Sequence, residues 1–347
     1  MKNPDATSRI SATVAAVGLA AGALAAAPAA DAATYEWTFQ TTESAGSPLV
    51  KMQKDWAERV NVMSDGEIEI EILPVGAVVP NTQTLNAIGS GVLDGHITDP
   101  SYFSGQNPAF GMLGNLVGAW SDPMQFLEYM NYGGGEALYN ELVEPYGVHL
   151  IGATAAGLES FVSSRPIRSV EDLEGLKMRA PQGMVNNVFS NAGATPVNLP
   201  TSEVYTALEK GVIDAADYNT FANNQQLGLH QFAPYPVYPG FHSLPMGAVS
   251  LNKDIWDELP EHLKVLLETS VDHMAYDIAF RLQQLDMEAV DKARNNGDIE
   301  IIDLPAEERA KFRRIARKEW AVWAEKNDMT RKVYDSVVAF LEKRDLM

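Results

Sequence analysis

Leu176-Lys177-Met178-Arg179-Ala180-Pro181-Gln182-Gly183, followed by Val212-Ile213-Asp214-Ala215-Ala216-Asp217-Tyr218, is the stretch on which the reading of the fold turns. Lys177 to Arg179 reads as a strand that Pro181 and Gly183 break at once, because proline offers no amide hydrogen to a ladder and glycine supplies a turn. A helix from Met184 to Ala192 follows, then a strand from Pro196 to Leu199. A second helix, Ser202 to Lys210, is capped by Thr201 or Ser202 and stopped by Gly211; Ile213 to Ala216 is the next strand. Alternation of this kind is βαβ logic and predicts an α/β fold. It delivers Arg179 and Asp217 to neighbouring strand ends, where open α/β sheets hold their ligands. A fixed cation with an acidic-aromatic pair beside it suits a small anion.

Upstream the same alternation holds. Tyr35 to Phe39 predicts a strand, and Ser47-Pro48 caps a helix whose Met52, Trp56 and Val60 recur at four-residue spacing. Ser64-Asp65-Gly66 stops it. Ile68, Ile70 and Ile72 alternate with Glu67, Glu69 and Glu71, a strand with one solvated glutamate face. Thr82 to Ser90 reads as a short helix and His96 to Asp99 as a short strand. The loop Pro100-Ser101-Tyr102-Phe103 follows that strand's end. Pro123 to Asn131 and Gly135 to Tyr146 read as helices, His149 to Gly152 as a buried strand, and Ser169 to Leu173 as a capped helical turn. Pro234 to Pro245, with four prolines among aromatics, predicts an extended segment crossing between domains. Asp254 to Asn295 and Ala306 to Arg344 carry helical periodicity, with Trp256, Trp320 and Trp323 as packing residues.

Lys2 and Arg9 precede an Ala/Gly/Leu-rich run that ends in Ala30-Asp31-Ala32, which reads as a secretory signal peptide over 1–32. The remaining chain of about 315 residues exceeds one compact core, and its length suggests two domains. The full sequence of 347 residues carries 46 acidic against 26 basic residues, a net charge of −20. Such a surface argues against nucleic acid or an anionic membrane as partner. With no cysteine, stability must come from core burial. There is no Gly-x-Ser-x-Gly, His-Glu-x-x-His or phosphate loop, and the six histidines lack metal-ligand spacing. An exported enzyme acting on a small acid is the less favoured class, and the chain reads as no enzyme.

Several motifs, in order along the chain, resemble the solute-binding proteins of tripartite ATP-independent periplasmic (TRAP) transporters. They are Trp56-Ala57-Glu58-Arg59-Val60, Ser64 to Ile70, Leu73-Pro74-Val75-Gly76-Ala77-Val78-Val79-Pro80, Val92-Leu93-Asp94-Gly95, Ile167 to Arg179, Ala194 to Pro200 and Gly211 to Ala216. Gly46-Ser47-Pro48, Tyr132 to Gly135 and Tyr238-Pro239-Gly240-Phe241-His242 look most like the branch that binds 2-oxo and 2-hydroxy monocarboxylates. The resemblance implies a two-lobed periplasmic binding protein of type II-like architecture, with crossing strands, a long connecting helix and a helical C-terminus. Lobe I is expected at 33–156 plus about 249–285. Lobe II, with the C-terminal helices, is expected at 157–248 plus about 286–347. It also implies a periplasmic location, delivery of the ligand to membrane permease subunits, and transport driven by an ion gradient. The long C-terminal helices are compatible with a homodimer.

The resemblance makes Arg179 the clamp of the ligand carboxylate, as the planar fork of a guanidinium would suggest independently. On position alone Arg179 could equally pair with Asp214 or Asp217. Asp217 and Tyr218 match a Glu-Trp pair that helps to build a cation site in the oxo-acid branch, so no cofactor is required but a calcium or sodium ion could bridge the ligand there. The expected glutamine is missing from Ala156 to Ser160, however, and Ser243 stands where an acidic residue is expected. These departures open a second chemistry, a zwitterionic or sulfonate-type osmolyte, with Glu159 and Asp217 meeting an ammonium and with Tyr102, Phe103, Trp120, Tyr218 and Phe221 nearby. Gln182, Asn186 and Asn219 are candidate hydrogen-bonding residues; Phe241 and His242 lie where the crossing segment would line the cleft.

Overall fold

The computed structural model describes residues 34–181, 183–199 and 203–347. The expected signal peptide, Gln182, and the helix caps Thr201 and Ser202 lie outside the described residues. Nine strands form two sheets among the described residues. β1 (Tyr35–Thr41), β2 (Ile68–Leu73), β3 (Gly95–Thr98), β4 (Val148–Ala155) and β9 (Met246–Asn252) make a five-stranded sheet ordered β2-β1-β3-β9-β4. β5 (Val162–Ser163), β6 (Lys177–Arg179), β7 (Thr195–Val197) and β8 (Ala215–Ala216) make a four-stranded sheet ordered β5-β8-β6-β7.

In the first sheet β1 is parallel to β2 and β3, while β9 enters antiparallel between β3 and β4. The strand-helix crossovers follow from local chemistry. Ser47 accepts from the Leu49 amide at 3.2 Å and starts the helix Pro48–Met63, whose apolar face buries Trp56 and Val60. Asp65 and Gly66, at φ 53° and 84°, turn the chain out of it. The isoleucines of β2 are buried and its glutamates exposed, as the alternation predicts.

In the second sheet β6 is parallel to β7 and β8, so the ends of β6 and β8 lie side by side, with Arg179 in register with Ala216. The Asp217 amide donates to the Arg179 carbonyl at 3.0 Å and extends that alignment by one residue. The predicted strands at 196–199 and 213–216 are shorter than expected: the ladders run over Thr195–Val197 and Ala215–Ala216.

The proline-rich segment makes no helix. Tyr235 and Val237 donate to the carbonyls of Ser163 and Phe161, and Val237 bridges to Ile302. Where one helical region was expected from 254 there are two, Lys253–Glu258 and the 36-residue Glu261–Asn296, because Pro260 interrupts the ladder between them. The expected final helix likewise divides, into Ala306–Ala324 and Asp328–Lys343, at the Asn327 cap. Trp320 and Trp323 are core residues, and Trp320 donates to the Val117 carbonyl at 3.0 Å. The final helix packs on helices of the first sheet, with Phe340 against Tyr129 and Trp120. No described helix is long and apolar enough to cross a membrane.

Candidate functional site

Arg179 ends β6 and is only 8% exposed. Its Nη1 donates to the Asp217 carbonyl at 2.8 Å and its Nε to the Leu199 carbonyl at 3.3 Å. Two carbonyls from the two neighbouring strand ends therefore fix the plane of the guanidinium. Its pairing with a structural carboxylate, left open by position, is not what the geometry shows: both partners are backbone oxygens. Tyr218 lies with its ring centroid 5.7 Å from the guanidinium carbon, within cation–π range.

Asp217 is buried behind this pair, and its Oδ1 lies 2.5 Å from His242 Nε2. Glu159 completes a cluster in which one ligand atom from each of the three residues lies within 4.8 Å of the others. Burial pushes the Glu159 carboxyl well above the ordinary range, and the Asp217 charge adds to this. Burial would also raise Asp217, but His242, Arg179 and the bond to Glu159 together hold it below its ordinary value. The pair thus shifts in opposite directions, Glu159 towards its neutral form and Asp217 towards its charged one, which eases the repulsion of two adjacent carboxyls. The loop that carries these groups is pinned by Asn224, whose Nδ2 donates to the carbonyls of Tyr218 at 2.5 Å and Ser160 at 3.0 Å. Asn219, at φ 40°, takes the left-handed turn that asparagine tolerates, and its amide donates to Glu159 Oε1 at 3.1 Å.

A cavity of about 100 Å³ adjoins the cluster. Glu159, Asn219 and Thr220 line it from the second-sheet side, while Glu43, Thr98 and Asp99 line it from the ends of β1 and β3. Burial pushes Asp99 up to about 7 against two hydrogen bonds from Ser101, with the Asp217 charge adding to the rise. Burial raises Glu43 too, and Ser47 eases it. Tyr102 is 38% exposed, and its hydroxyl, itself shifted upward by burial, feels the charges of Asp99, Arg179, Glu43 and Glu159.

Of the residues singled out in the sequence, Glu159 and Asn219 line the cavity; Asp217, His242, Arg179 and Tyr218 are joined to them by the contacts above without lining it, and Tyr102 does not line it either. Phe103 does not: it is fully buried, stacked on His96 and edge-on to Phe110, so it is core. Phe241 is likewise buried, against Phe161 and Phe312, and His242 touches Asp217 and does not line the cavity. Trp120 and Phe221 are also core. Sequence reading missed Glu43, Gln53, Thr98 and Asp99 as cavity residues. The signals were present: Glu43 and Asp99 follow strand ends, and Gln53 is a polar residue on the buried face of a helix, seven positions before Val60.

The expected calcium or sodium site at Asp217 and Tyr218 does not fit these residues. The Asp217 carboxylate is engaged by an imidazole and by Glu159, and the Tyr218 carbonyl already accepts from Asn224. A hard cation takes six to eight oxygen ligands, and an imidazole nitrogen is not among those it prefers.

Two sheets with a basic-acidic site at adjacent strand ends define a periplasmic-binding-protein architecture. The chain belongs to the bacterial extracellular solute-binding protein family 7 (DctP), whose profile matches residues 39–327. It is an extracytoplasmic, periplasmic TRAP-type solute-binding protein by family. A TRAP periplasmic solute-binding protein from Rhodobacter sphaeroides, solved in an apo open form, is 49% identical with a TM-score of 0.80, over 90% of this chain and 99% of that one. One from Pseudoalteromonas atlantica, with bound sodium and pyruvate, is 25% identical with a TM-score of 0.78, over 90% and 95%. A monocarboxylate 2-oxoacid-binding periplasmic protein of Nostoc sp. is 31% identical over 62% of this chain, and the match spans 59% of that relative's length.

Proposed function

We propose that this protein is the solute receptor of a TRAP transporter, binds a small organic acid of the 2-oxo or 2-hydroxy monocarboxylate class, and hands it to a membrane permease. It acts as a receptor and performs no turnover. Arg179 carries the reading: its guanidinium is oriented by the Asp217 and Leu199 carbonyls, so the edge left over can receive a carboxylate in a two-bond fork. The pyruvate-bound relative supports the ligand class. The two sheets serve as the cores of the two lobes. A ligand touching both would favour the closed arrangement in proportion to the contacts made only there.

A thermal-shift panel of pyruvate, lactate, longer oxo acids and sulfonates, with and without calcium or sodium, tests the proposal. Stabilisation by one or more monocarboxylates supports it. A panel in which only sulfonates stabilise, or in which no acid does, rejects the ligand class, and turnover of any acid by the pure protein would replace the receptor reading with an enzymatic one.

A further inference from the structure

A second cavity, of about 250 Å³, opens between the helices Pro48–Met63 and Glu261–Asn296. It is distinct from the cavity of the candidate site, because the two use different faces of the same pair of helices. From the first helix Met52 and Trp56 line it, whereas Leu49 and Gln53 line the other; from the second Met274 and Asp277 line it, whereas Ile278 lines the other. Successive residues of a helix point about 100° apart, which is what divides these neighbours between two hollows. The inner end is closed and apolar. Met52, Trp56 and Met274 are buried, and the polar atoms of the floor are satisfied within the protein: Trp56 Nε1 donates to Ser270 Oγ at 2.9 Å, and Ser270 Oγ donates to the Leu267 carbonyl at 2.7 Å. Such a floor favours an apolar occupant over a polar one.

The mouth is charged, and its charges are unequally matched. Asp277 pairs with Arg281 Nε at 2.8 Å, and the same guanidinium lies 3.9 Å from Asp55 Oδ2, so one cation serves both nearby acids. Arg59, which lines the mouth, pairs with no carboxylate among the described residues; its Nη1 lies 3.3 Å from His273 Nδ1. A guanidinium can only donate, so this contact leaves the imidazole proton on Nε2 and the Arg59 charge uncompensated. An uncompensated cation beside a closed apolar hollow is complementary to an anion with an apolar body. We propose that this cavity binds a short amphiphilic monoanion, an aryl or alkyl carboxylate, whose apolar body lies on Trp56, Met52 and Met274 and whose head meets Arg59. A cavity of roughly 150 Å³ holds benzene, so the volume here admits an arene with a short arm or an alkyl chain of similar bulk. Methionine thioethers adapt their shape to such a body. Met63, 51% exposed, stands at the rim where the ligand enters.

Calorimetric titration of the purified protein with 3-phenylpropionate, hexanoate and octanoate, each against the alcohol of the same length, tests the inference. At least one acid should bind, and its alcohol about two- to fivefold more weakly, the worth of a solvent-exposed charge contact. Arg59→Gln should bring that acid down to the alcohol's affinity. Thr269→Trp fills the cavity from an exposed position on the long helix, and Met63→Asp sets a like charge at the rim. Each should weaken the acid about tenfold or more, because a clash or a repulsion removes the seat. The two positions lie on different helices, so a variant that misfolds leaves the other to decide. Acid binding that survives both changes would put the ligand elsewhere, the cleft included, and would overturn the inference. Alcohols that bind as tightly as the acids, or no heat from any acid, would overturn it too. Light scattering reads the remaining occupant: the mass should be the same in wild type and both variants, and a dimer dissolved by Thr269→Trp and by Met63→Asp would make the groove a contact between copies of the chain and reject the small-molecule site.

Discussion

Replacing Arg179 by Lys tests the site at its centre. Of the five N–H bonds of the guanidinium, one from Nη1 and one from Nε go to the Asp217 and Leu199 carbonyls. In the proposed clamp the other three form the edge that a carboxylate meets. A lysine ammonium has three N–H bonds on a single atom, so it can serve the carbonyls or the ligand but cannot reproduce a two-bond fork. Loss of one charge-assisted hydrogen bond costs about 1.5–3 kcal/mol, or about ten- to a hundredfold in affinity. The two backbone carbonyls, each worth about 1 kcal/mol net, lose their fixed partner, so the free protein should melt several degrees lower. Calorimetry with the best-binding acid, paired with thermal denaturation of the free protein, reads both numbers. An Arg179→Lys protein that melts lower but binds every carboxylate within threefold of wild type would show that the guanidinium is a structural brace between strand ends and no ligand clamp.

Four other outcomes follow from the same geometry. Burial raises Asp99 to about 7 and Glu43 and Glu159 above their ordinary values, so the native state takes up protons more readily than the unfolded chain and stability should rise as pH falls from 8 to about 6.5. Below that, His96, His149 and His230, held at about 3, 4 and 4, stay neutral in the fold while the unfolded chain protonates, which offsets the gain from the raised acids and flattens the curve. Asp99→Asn should flatten the alkaline limb, and an unchanged slope between pH 6.5 and 8 would contradict the buried-acid account. His242→Gln strips the imidazole from buried Asp217 and should cost about 3–5 kcal/mol, with a second change of Asp217→Asn recovering part of it; strictly additive melting points would mean that the two do not act as a pair. Phe103→Leu should lower the melting temperature without altering ligand affinity, whereas Tyr102→Ala should alter affinity with a smaller stability cost, and the reverse pattern would return Phe103 to the site. Because the Asp217 donor set does not suit a hard cation, EDTA should leave the melting temperature and acid affinity unchanged, and calorimetry before and after chelation is the check.

How much the sequence revealed depends on which kind of signal a residue carries. The position of Arg179 was legible because a strand broken by Pro181 and Gly183 has one obvious end, and β6 does end at that residue. Glu43 obeys the same rule, since it follows β1 by two residues, but no proline marks that end and the acid merges into a polar turn. Phe103 failed for a physical reason of another sort. Tyr102 and Phe103 sit in one helical turn after β3, so their side chains diverge, and the apolar one was drawn inward to stack on His96. Position in a loop identified the turn but could not say which neighbour it buried. The pairing of Asp217 with His242 was hidden for a third reason: it joins residues 25 apart through two loops whose approach depends on Asn224 and Ser160, contacts with no periodicity to read.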